Sequence, residues 1–249
     1  MASFFQKLFG SSEPAIKANL SELKVDMHSH VLPGLDDGAE TLEKSLELVE
    51  KMLGFGYEKL IMTPHIMGDF YKNTPEGIRE KLELLQNAVA AKGWNIKLGC
   101  AAEYYLDEWF MQRLENNDKL LTFGDNYLLF ETSYINEPRV LTEAVFAMQS
   151  AGYKPVLAHP ERYTYLYGKF DDLMKLKENG VLFQINLNSL SGYYSEGAKR
   201  VVEKLIDAKM VDMAGSDAHS LKHLHYLQKA AATKYFGKLM ALPLHNAHL

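Results

Sequence analysis

From residue 23 onward, short apolar runs alternate with longer segments in which apolar residues recur every three or four positions. Several of the runs are rich in Val, Ile and Leu, which is typical of parallel strands buried on both faces. The pattern predicts seven strands, at residues 23–30, 58–65, 95–103, 126–132, 153–160, 181–187 and 211–217. Because strands and helices alternate, we expect a parallel sheet with right-handed crossovers.

Two of the intervening segments carry clear helix boundaries. In residues 40–56, Gly54 and Gly56 follow the last helical turn. The apolar face predicted for this helix consists of Leu42, Leu46, Val49 and Leu53. In the second segment, Thr74 is the predicted N-cap and Pro75 takes the first helical position, where its missing N–H costs nothing.

Seven strand–helix units in 249 residues predict a single α/β domain, a distorted (β/α) barrel with one unit fewer than the usual eight. We assign residues 21–249 to this domain and residues 1–20 to an N-terminal tail or short helix. The tail either packs on its own domain or stays mobile, or it anchors the protein to a membrane-bound partner. Its predicted apolar face consists of Phe4, Phe5, Leu8 and Phe9.

Composition narrows the class of protein. The net charge of -5 argues against sequence-independent binding to nucleic acid, which requires a basic face. The single cysteine, Cys100, cannot form an intrachain disulfide and fits a reducing compartment. No apolar run is long enough for a membrane span or a signal peptide, so we expect no stable membrane insertion and a cytoplasmic location.

Polar side chains gather where the predicted strands end. In a parallel barrel these carboxyl ends converge on one rim, where active sites are built. An imidazole or carboxylate buried there without a partner would carry a desolvation cost. The residues at or just beyond strand ends are His28, His30, His65, Glu103, Glu131, His159 and Asp217.

The chain contains two His-x-His pairs, and their contexts differ. His28 and His30 lie on a strand, where residues two apart point to the same face, roughly 6 to 7 Å from each other. Both imidazoles can therefore enter one metal cluster. His223 and His225 lie in a helical pattern, where side chains two apart diverge. We interpret the second pair as structural.

Carboxylates complete the candidate metal site. Asp36 and Asp37 follow the first strand in a tight turn, and Glu103 ends an apolar strand where an unpaired charge would be costly. Asp217 and His219 repeat the two-residue spacing at the last strand. Imidazoles and carboxylates without a thiolate favour Mn, Zn, Fe or Mg ions.

Arg162 lies three residues beyond His159 on the same rim. Its guanidinium could hold a phosphate bidentately beside the metal ions. The alternative is a surface ion pair with Glu161, and position alone does not separate the two.

Other catalytic chemistries lack their residues. A cysteine-based phosphatase needs an arginine six positions after the thiolate, and that position after Cys100 holds Leu106. The chain contains no GxSxG elbow, no Walker loop and no GxGxxG after a strand. Of the catalytic chemistries considered, only metal-assisted hydrolysis has its residues in this sequence.

The motifs resemble those of the PHP (polymerase and histidinol phosphatase) superfamily. They are DMHSHVLPGLDDGA, TPH ending at His65, Glu103, HPER and GSDAH. Within that superfamily, the long form HSHxLPGxDDGA is similar to the bacterial manganese-dependent tyrosine-protein phosphatases of capsule and exopolysaccharide synthesis. The resemblance extends from residue 24 to about residue 220.

The resemblance implies a distorted seven-unit barrel with a trinuclear metal centre, often of manganese. The implied ligands are His28, His30, Asp37, His65, Glu103, His159, Asp217 and His219. Glu103 would bridge the ions and Arg162 would bind phosphate. If a proton donor is needed, His219 or a metal-bound water would serve. The implied reaction is attack of a metal-activated hydroxide on phosphotyrosine, with the tail of a bacterial tyrosine autokinase as substrate.

One departure and two alternatives accompany this assignment. The family usually has another arginine shortly after SDAH, and this chain has none there, so Lys222 or His223 would have to substitute. A small-molecule phosphomonoesterase such as histidinol phosphatase is the alternative enzyme. A metal-binding regulatory module without turnover is the alternative outside enzymes.

Aromatic residues are frequent in the loops after four predicted strands. They either stack on a substrate phenol ring or pack over the barrel edge. The loop sequences are GDFYKN, EYYLDEWF, ERYTYLYG and SGYYSEG.

Overall fold

The computed structural model describes residues 19–249, so the predicted apolar face of the N-terminal tail lies outside the described residues. The strands in this range are β1 Val25–Asp26, β2 Lys59–Met62, β3 His65–Ile66, β4 Lys97–Cys100, β5 Glu103–Tyr105, β6 Tyr127–Glu131, β7 Lys154–Ala158, β8 Leu182–Asn186 and β9 Met213–Gly215. The α-helices are α1 Leu42–Gly54, α2 Pro75–Ala91, α3 Glu108–Glu115, α4 Leu141–Ser150, α5 Phe170–Glu178, α6 Glu196–Asp207, α7 Leu221–Ala231 and α8 Lys234–Met240.

The strands form two parallel sheets, ordered β1-β2-β4 and β3-β5-β6-β7-β8-β9. Every ladder between these strands is parallel, which confirms the predicted parallel α/β architecture. A parallel bridge between Ser29 and Ala218 joins the segment after β1 to the segment after β9. There, the His30 N–H donates to the Ala218 carbonyl at 3.0 Å, and the Asp217 N–H donates to the His28 carbonyl at 2.8 Å.

Two predicted strands, 58–65 and 95–103, are each divided in two. Proline has no N–H to give to a ladder, and Pro64 lies at the first break. Just before it, the Thr63 N–H donates to the Ser29 carbonyl at 2.8 Å, and the Pro64 carbonyl accepts from the Glu103 N–H at 3.1 Å. The chain thereby leaves the first sheet and continues in the second, so the prediction of unbroken strands was wrong at these positions.

The start of α2 agrees with its sequence signals, but the buried face of α1 differs from the predicted one. α2 begins at Pro75, and the Thr74 hydroxyl accepts from the Gly77 N–H at 3.1 Å. α1 packs between α2 and α7, so its buried face is shifted from the predicted one. Its buried residues are Ser45, Leu48, Val49 and Met52, whereas the predicted Leu42, Leu46 and Leu53 are only half-buried.

The apolar core has an outer and an inner part. The outer part lies between the strands and the surrounding helices, as expected for an α/β domain. The inner part, which we call the interior cluster, consists of Val25, Met27, Ile61, Ala101, Phe123, Leu129, Val156, Ala158 and Met213. Within residues 19–249, no helix combines the length and apolar character needed to cross a bilayer.

Candidate metal and phosphate site

The carboxyl ends of the strands bring the predicted ligands into one polar cluster. His28 and His30 follow β1, and His65 and Glu103 are the first residues of β3 and β5. His159 follows β7 directly. Asp217 and His219 come just after β9, and Asp37 belongs to the turn after the first strand. Residues more than 150 positions apart thus share one site.

At the centre of the cluster, two imidazoles face the same two carboxylates. The His28 Nε2 lies 3.2 Å from Glu103 and 3.6 Å from Asp217. The His30 Nε2 lies 3.5 Å and 3.4 Å from the same groups, and 3.4 Å from the His28 Nε2. Neighbouring ligands of one octahedral ion, each bound at 2.0–2.1 Å, lie roughly 3 Å apart. These spacings fit ligands that converge on shared ions.

A second part of the cluster surrounds His65. Its Nδ1 lies 3.1 Å from both Glu103 and Glu131, and its Nε2 lies 3.7 Å from Asp37. Three overlapping groups could each hold an ion, with ligand atoms within 4.8 Å of one another: His30, Asp37, His65 and His219; His28, His30 and Glu103; and His65, Glu103 and Glu131. Glu131 ends β6 but was not among the predicted ligands.

The charges and unpaired atoms of the cluster fit a divalent cation. Burial opposes protonation of His65, but Glu103 and Glu131 outweigh it and raise the pKa of His65 to about 9. The pKa of Glu103 lies well below its usual range despite burial, because His28 and His65 stabilise the carboxylate. A metal ion would displace such imidazole protons. Although the His65 Nδ1 lies 3.1 Å from both carboxylates, it makes no hydrogen bond of good geometry within residues 19–249.

Supporting residues set the orientation of the imidazoles. The His28 Nδ1 lies 2.8 Å from the Gln184 Oε1, which also accepts from the His159 N–H at 3.2 Å. The His30 Nδ1 lies 2.7 Å from Asp36. Protonation of these Nδ1 atoms leaves both Nε2 lone pairs facing the cluster. Sequence reasoning missed Gln184, which lies inside β8 with no spacing signal, and it named Asp36 only as a turn residue.

The backbone at the rim has a close approach between strands and two non-glycine residues with positive φ. A Cβ at Gly215 would lie 2.6 Å from the His28 Cβ, so only glycine allows the last strand to approach this close. His159 and Asp217 have positive φ values of 34° and 49°. Non-glycine residues in this region are strained and often belong to functional sites.

Arg162 faces the cluster rather than the surface. Its guanidinium donates to Asp217 at 2.9 Å and lies between the rings of Tyr134 and Tyr194, 4.6 Å and 4.1 Å from their centroids. Glu161 is fully buried and instead accepts from the Asn186 N–H and the Ser189 hydroxyl. Its burial raises its pKa to about 7. The alternative of a surface ion pair between Arg162 and Glu161 was therefore wrong.

The cluster forms the floor of a cleft of ≈ 830 Å³, here called the central cleft. Its walls include Lys44 of α1 and Lys222 and His223 of α7, so both candidates for the missing arginine lie beside the cluster. The second His-x-His pair is helical as predicted, and His225 is exposed. The His223 Nδ1, however, accepts from the His219 N–H at 3.1 Å, so this residue supports the site.

Of the aromatic residues in the loops after the strands, some can contact a substrate ring and others pack over the edge of the domain. Tyr71, Tyr134 and Tyr194 line the central cleft, where they can contact a ligand. Tyr104 and Tyr163 are instead buried in the core at 1% and 0% exposure. The loops after the strands therefore contribute both to the cleft and to packing of the domain edge.

Residues 24–240 match the family described as capsular polysaccharide synthesis, CpsB/CapC. The chain belongs to this family. The tyrosine-protein phosphatase YwqE of Bacillus subtilis is 30% identical over 198 residues, which cover 80% of this chain and 78% of YwqE. The tyrosine-protein phosphatase CpsB of Streptococcus pneumoniae is 25% identical over 223 residues, covering 86% of this chain and 92% of CpsB.

Solved structures agree with this family assignment. One of the crystal structures of YwqE and CpsB, described as unique metal-dependent tyrosine phosphatases, superposes with a TM-score of 0.76 at 30% identity, covering 83% of this chain and 84% of its own. Histidinol phosphate phosphatase of Lactococcus lactis, solved with zinc, L-histidinol and phosphate, gives a TM-score of 0.51 at 16% identity, covering 85% of this chain and 93% of its own. The second likeness shows a shared fold.

Proposed function

We propose that this protein is a metal-dependent protein-tyrosine phosphatase that acts in capsule or exopolysaccharide synthesis. One observation carries the proposal: a buried cluster of imidazoles and carboxylates forms the floor of a cleft into which the Arg162 guanidinium faces. Family membership and likeness to metal-dependent tyrosine phosphatases support the same reaction. A phosphate monoester in the cleft would thus lie between the bound metal ions and the Arg162 guanidinium.

Divalent ions, manganese in our proposal, would be held by the three overlapping ligand groups together with His159 and Asp217. Iron, zinc and magnesium suit the same mixed nitrogen and oxygen ligands. Bound ions would supply Lewis acidity, which lowers the pKa of water and offsets charge on phosphoryl oxygens. A carboxylate oxygen of Glu103 lies within 3.5 Å of an imidazole nitrogen of His28, His30, His65 and His159, so Glu103 would be the carboxylate shared between bound ions.

Other side chains of the cleft would bind the phosphate and donate a proton. Arg162 would bind two phosphoryl oxygens through its planar fork, and the rings of Tyr134 and Tyr194 hold that plane in place. Phenolate is a good leaving group, so little proton donation is required. His219, half-buried at the wall of the cleft, is the side chain that can provide it when its Nε2 does not hold an ion.

The finer assignments are part of the same proposal. The substrate would be the phosphotyrosine tail of a bacterial tyrosine autokinase, in the cytoplasm. The seven strand segments, with β2–β3 and β4–β5 each counted once, would close into a seven-unit barrel. The parallel bridge between Ser29 and Ala218 supports this closure, because it joins the first segment to the last.

Phosphate release from a phosphotyrosine peptide and from histidinol phosphate tests the proposal. Metal-stripped protein is assayed with and without Mn, beside His159→Ala, whose folding is checked by thermal melting. We expect release that needs Mn, prefers the peptide and falls in the variant. Preference for histidinol phosphate would contradict the proposed substrate, and no metal-dependent release from either would contradict the enzyme.

A further inference from the structure

A second cavity lies beside the central cleft, between α1 and α7. It has a volume of ≈ 480 Å³ and is here called the α1–α7 groove. Its lining comes from the outer turns of α1, the residue that follows α1 and the exposed side of α7. The lining residues are Glu47, Glu50, Lys51, Gly54, Phe55, Leu221 and Gln228.

The groove adjoins the central cleft. Glu47 and Leu221 line both cavities, so these two side chains form the boundary between them. Leu221 follows His219 by two positions, and the groove therefore opens next to the metal cluster. From Lys44 to Gly54, α1 advances about 15 Å. An extended peptide covers that distance with about five residues.

The walls of the groove combine apolar surface, from Leu221 and Phe55, with charged side chains such as Glu50. Leu221 is 48% exposed, although it is a large apolar side chain. Phe55 is half-buried, and the Lys51 ammonium lies 5.2 Å from the centroid of its ring. Glu47 is already paired with Lys44 at 2.9 Å. An apolar side chain packed against Leu221 and Phe55 would therefore be stabilised there.

Gly54 keeps one side of the groove open. No heavy atom of residues 19–249, apart from the immediate chain neighbours and the backbone of α1, lies within 4 Å of where its Cβ would be. Its φ lies outside the left-handed region, so other residues can adopt the same backbone. A large side chain at this position would occupy the groove without a clash in the core.

We infer that the α1–α7 groove binds the polypeptide segment next to the phosphotyrosine, through an apolar side chain two to five residues away. This inference rests on the proposed function and adds to it a rule for substrate choice. The phosphate lies over the metal cluster, and the flanking chain passes between Glu47 and Leu221 to reach the groove. Free phosphotyrosine fills only the central cleft, so it cannot use these contacts.

The test compares Gly54→Trp with Gly54→Ala in the full chain supplied with Mn. Each is assayed on free phosphotyrosine and on phosphotyrosine peptides that carry Leu or Ser at positions two to five on either side. For wild type and Gly54→Ala, we expect kcat/KM to be about tenfold higher for the best Leu peptide than for its Ser counterpart, the size expected from burying one apolar side chain. For Gly54→Trp, that preference should disappear while turnover of free phosphotyrosine is unchanged.

Other results would overturn the inference, and each has a distinct meaning. Equal losses on free phosphotyrosine and peptides would mean that Gly54→Trp disturbs the metal cluster. An unchanged Leu preference would place the flanking chain elsewhere. A gain on all substrates would mean that the open groove restricts turnover instead of binding the flanking chain. If wild type releases phosphate from none of the substrates, the proposed function fails as well.

Discussion

The same strands build two regions of opposite chemistry. We call the interior cluster the apolar half and the polar cluster at the carboxyl ends of the strands the polar half. In β7, Val156 and Ala158 belong to the apolar interior cluster, and His159, the next residue, belongs to the polar cluster that we propose to bind metal. In β9, Met213 is apolar and buried, whereas Asp217 lies just beyond the strand end. The comparison separates residues that stabilise the fold from residues that hold ligands, as parallel α/β folds generally do.

The polar half is costly to fold. Glu103 and His28 are both fully buried, and removing such groups from water costs more than their mutual attraction usually returns. The apolar half carries no such cost, because its burial is favourable in itself. Substitutions in the two halves should therefore have opposite signatures, one on activity and the other on stability.

The largest effect is expected for His28→Ala in the polar half. This change removes an imidazole from the centre of the cluster, and we expect kcat to fall by more than the roughly 100-fold that loss of a supporting hydrogen bond costs. Phosphate release and bound metal, measured by elemental analysis, check the prediction. His225→Ala, an exposed histidine of α7, is the matched control and should keep full activity. Equal losses in both variants would contradict the assignment of the cluster.

The next effect is expected for Arg162→Lys, which keeps the charge. Lysine cannot form the planar fork, and its ammonium loses the stacking between Tyr134 and Tyr194. We expect kcat/KM for a phosphotyrosine peptide to fall by about 10- to 100-fold. Arg79→Lys, on the exposed side of α2, should leave kcat/KM unchanged. Full activity of Arg162→Lys would mean that the guanidinium does not bind phosphate.

In the apolar half, Ile61→Ala should act on stability alone. Ile61 is 3% exposed within the interior cluster, so its truncation should lower the free energy of unfolding by about 2 to 5 kcal/mol. Urea unfolding measures this loss, and kcat of the folded protein should not change. Leu84→Ala, at an exposed position of α2, should change stability by less than about 0.5 kcal/mol. A large fall in kcat for Ile61→Ala would mean that the two halves are not separable.

The smallest effect is expected at Cys100, in β4 below the polar cluster. Burial raises the pKa of its thiol, so less thiolate is present at a given pH and alkylation should be slower in the folded than in the unfolded protein. Cys100→Ser should keep full phosphatase activity. Loss of activity in this variant would indicate a catalytic thiol, which the absence of an arginine six positions after Cys100 argues against.

Much of the candidate site could be predicted because its signals are local. The strand predicted over residues 23–30 places residues two apart on one face, so the spacing of His28 and His30 indicated a shared direction, although β1 itself ends at Asp26. Alternating strands and helices placed their carboxyl ends on one rim. Thr74 and Pro75 marked a helix start for equally local reasons, since a cap bonds only to its own first turn.

Other features depend on contacts between distant parts of the chain. The role of Gln184 could not be predicted, because its partner His28 lies 156 positions away and the residues around Gln184 carry no motif. The buried face of α1 depends on how α2 and α7 pack beside it. His223 shares its spacing with exposed His225, and only the fold of α7 against the rim distinguishes them.

The amino-acid sequence by itself determined the class of fold, the ends of several elements and the ligand types available to a metal. Short-range rules govern these properties, namely side-chain periodicity, capping and the direction of parallel strands. Tertiary structure alone decided that Arg162 pairs with Asp217 rather than Glu161 and that a second groove adjoins the cleft at Leu221. Coordination and recognition depend on distances of a few ångströms between remote residues, and those distances exist only after the chain has packed.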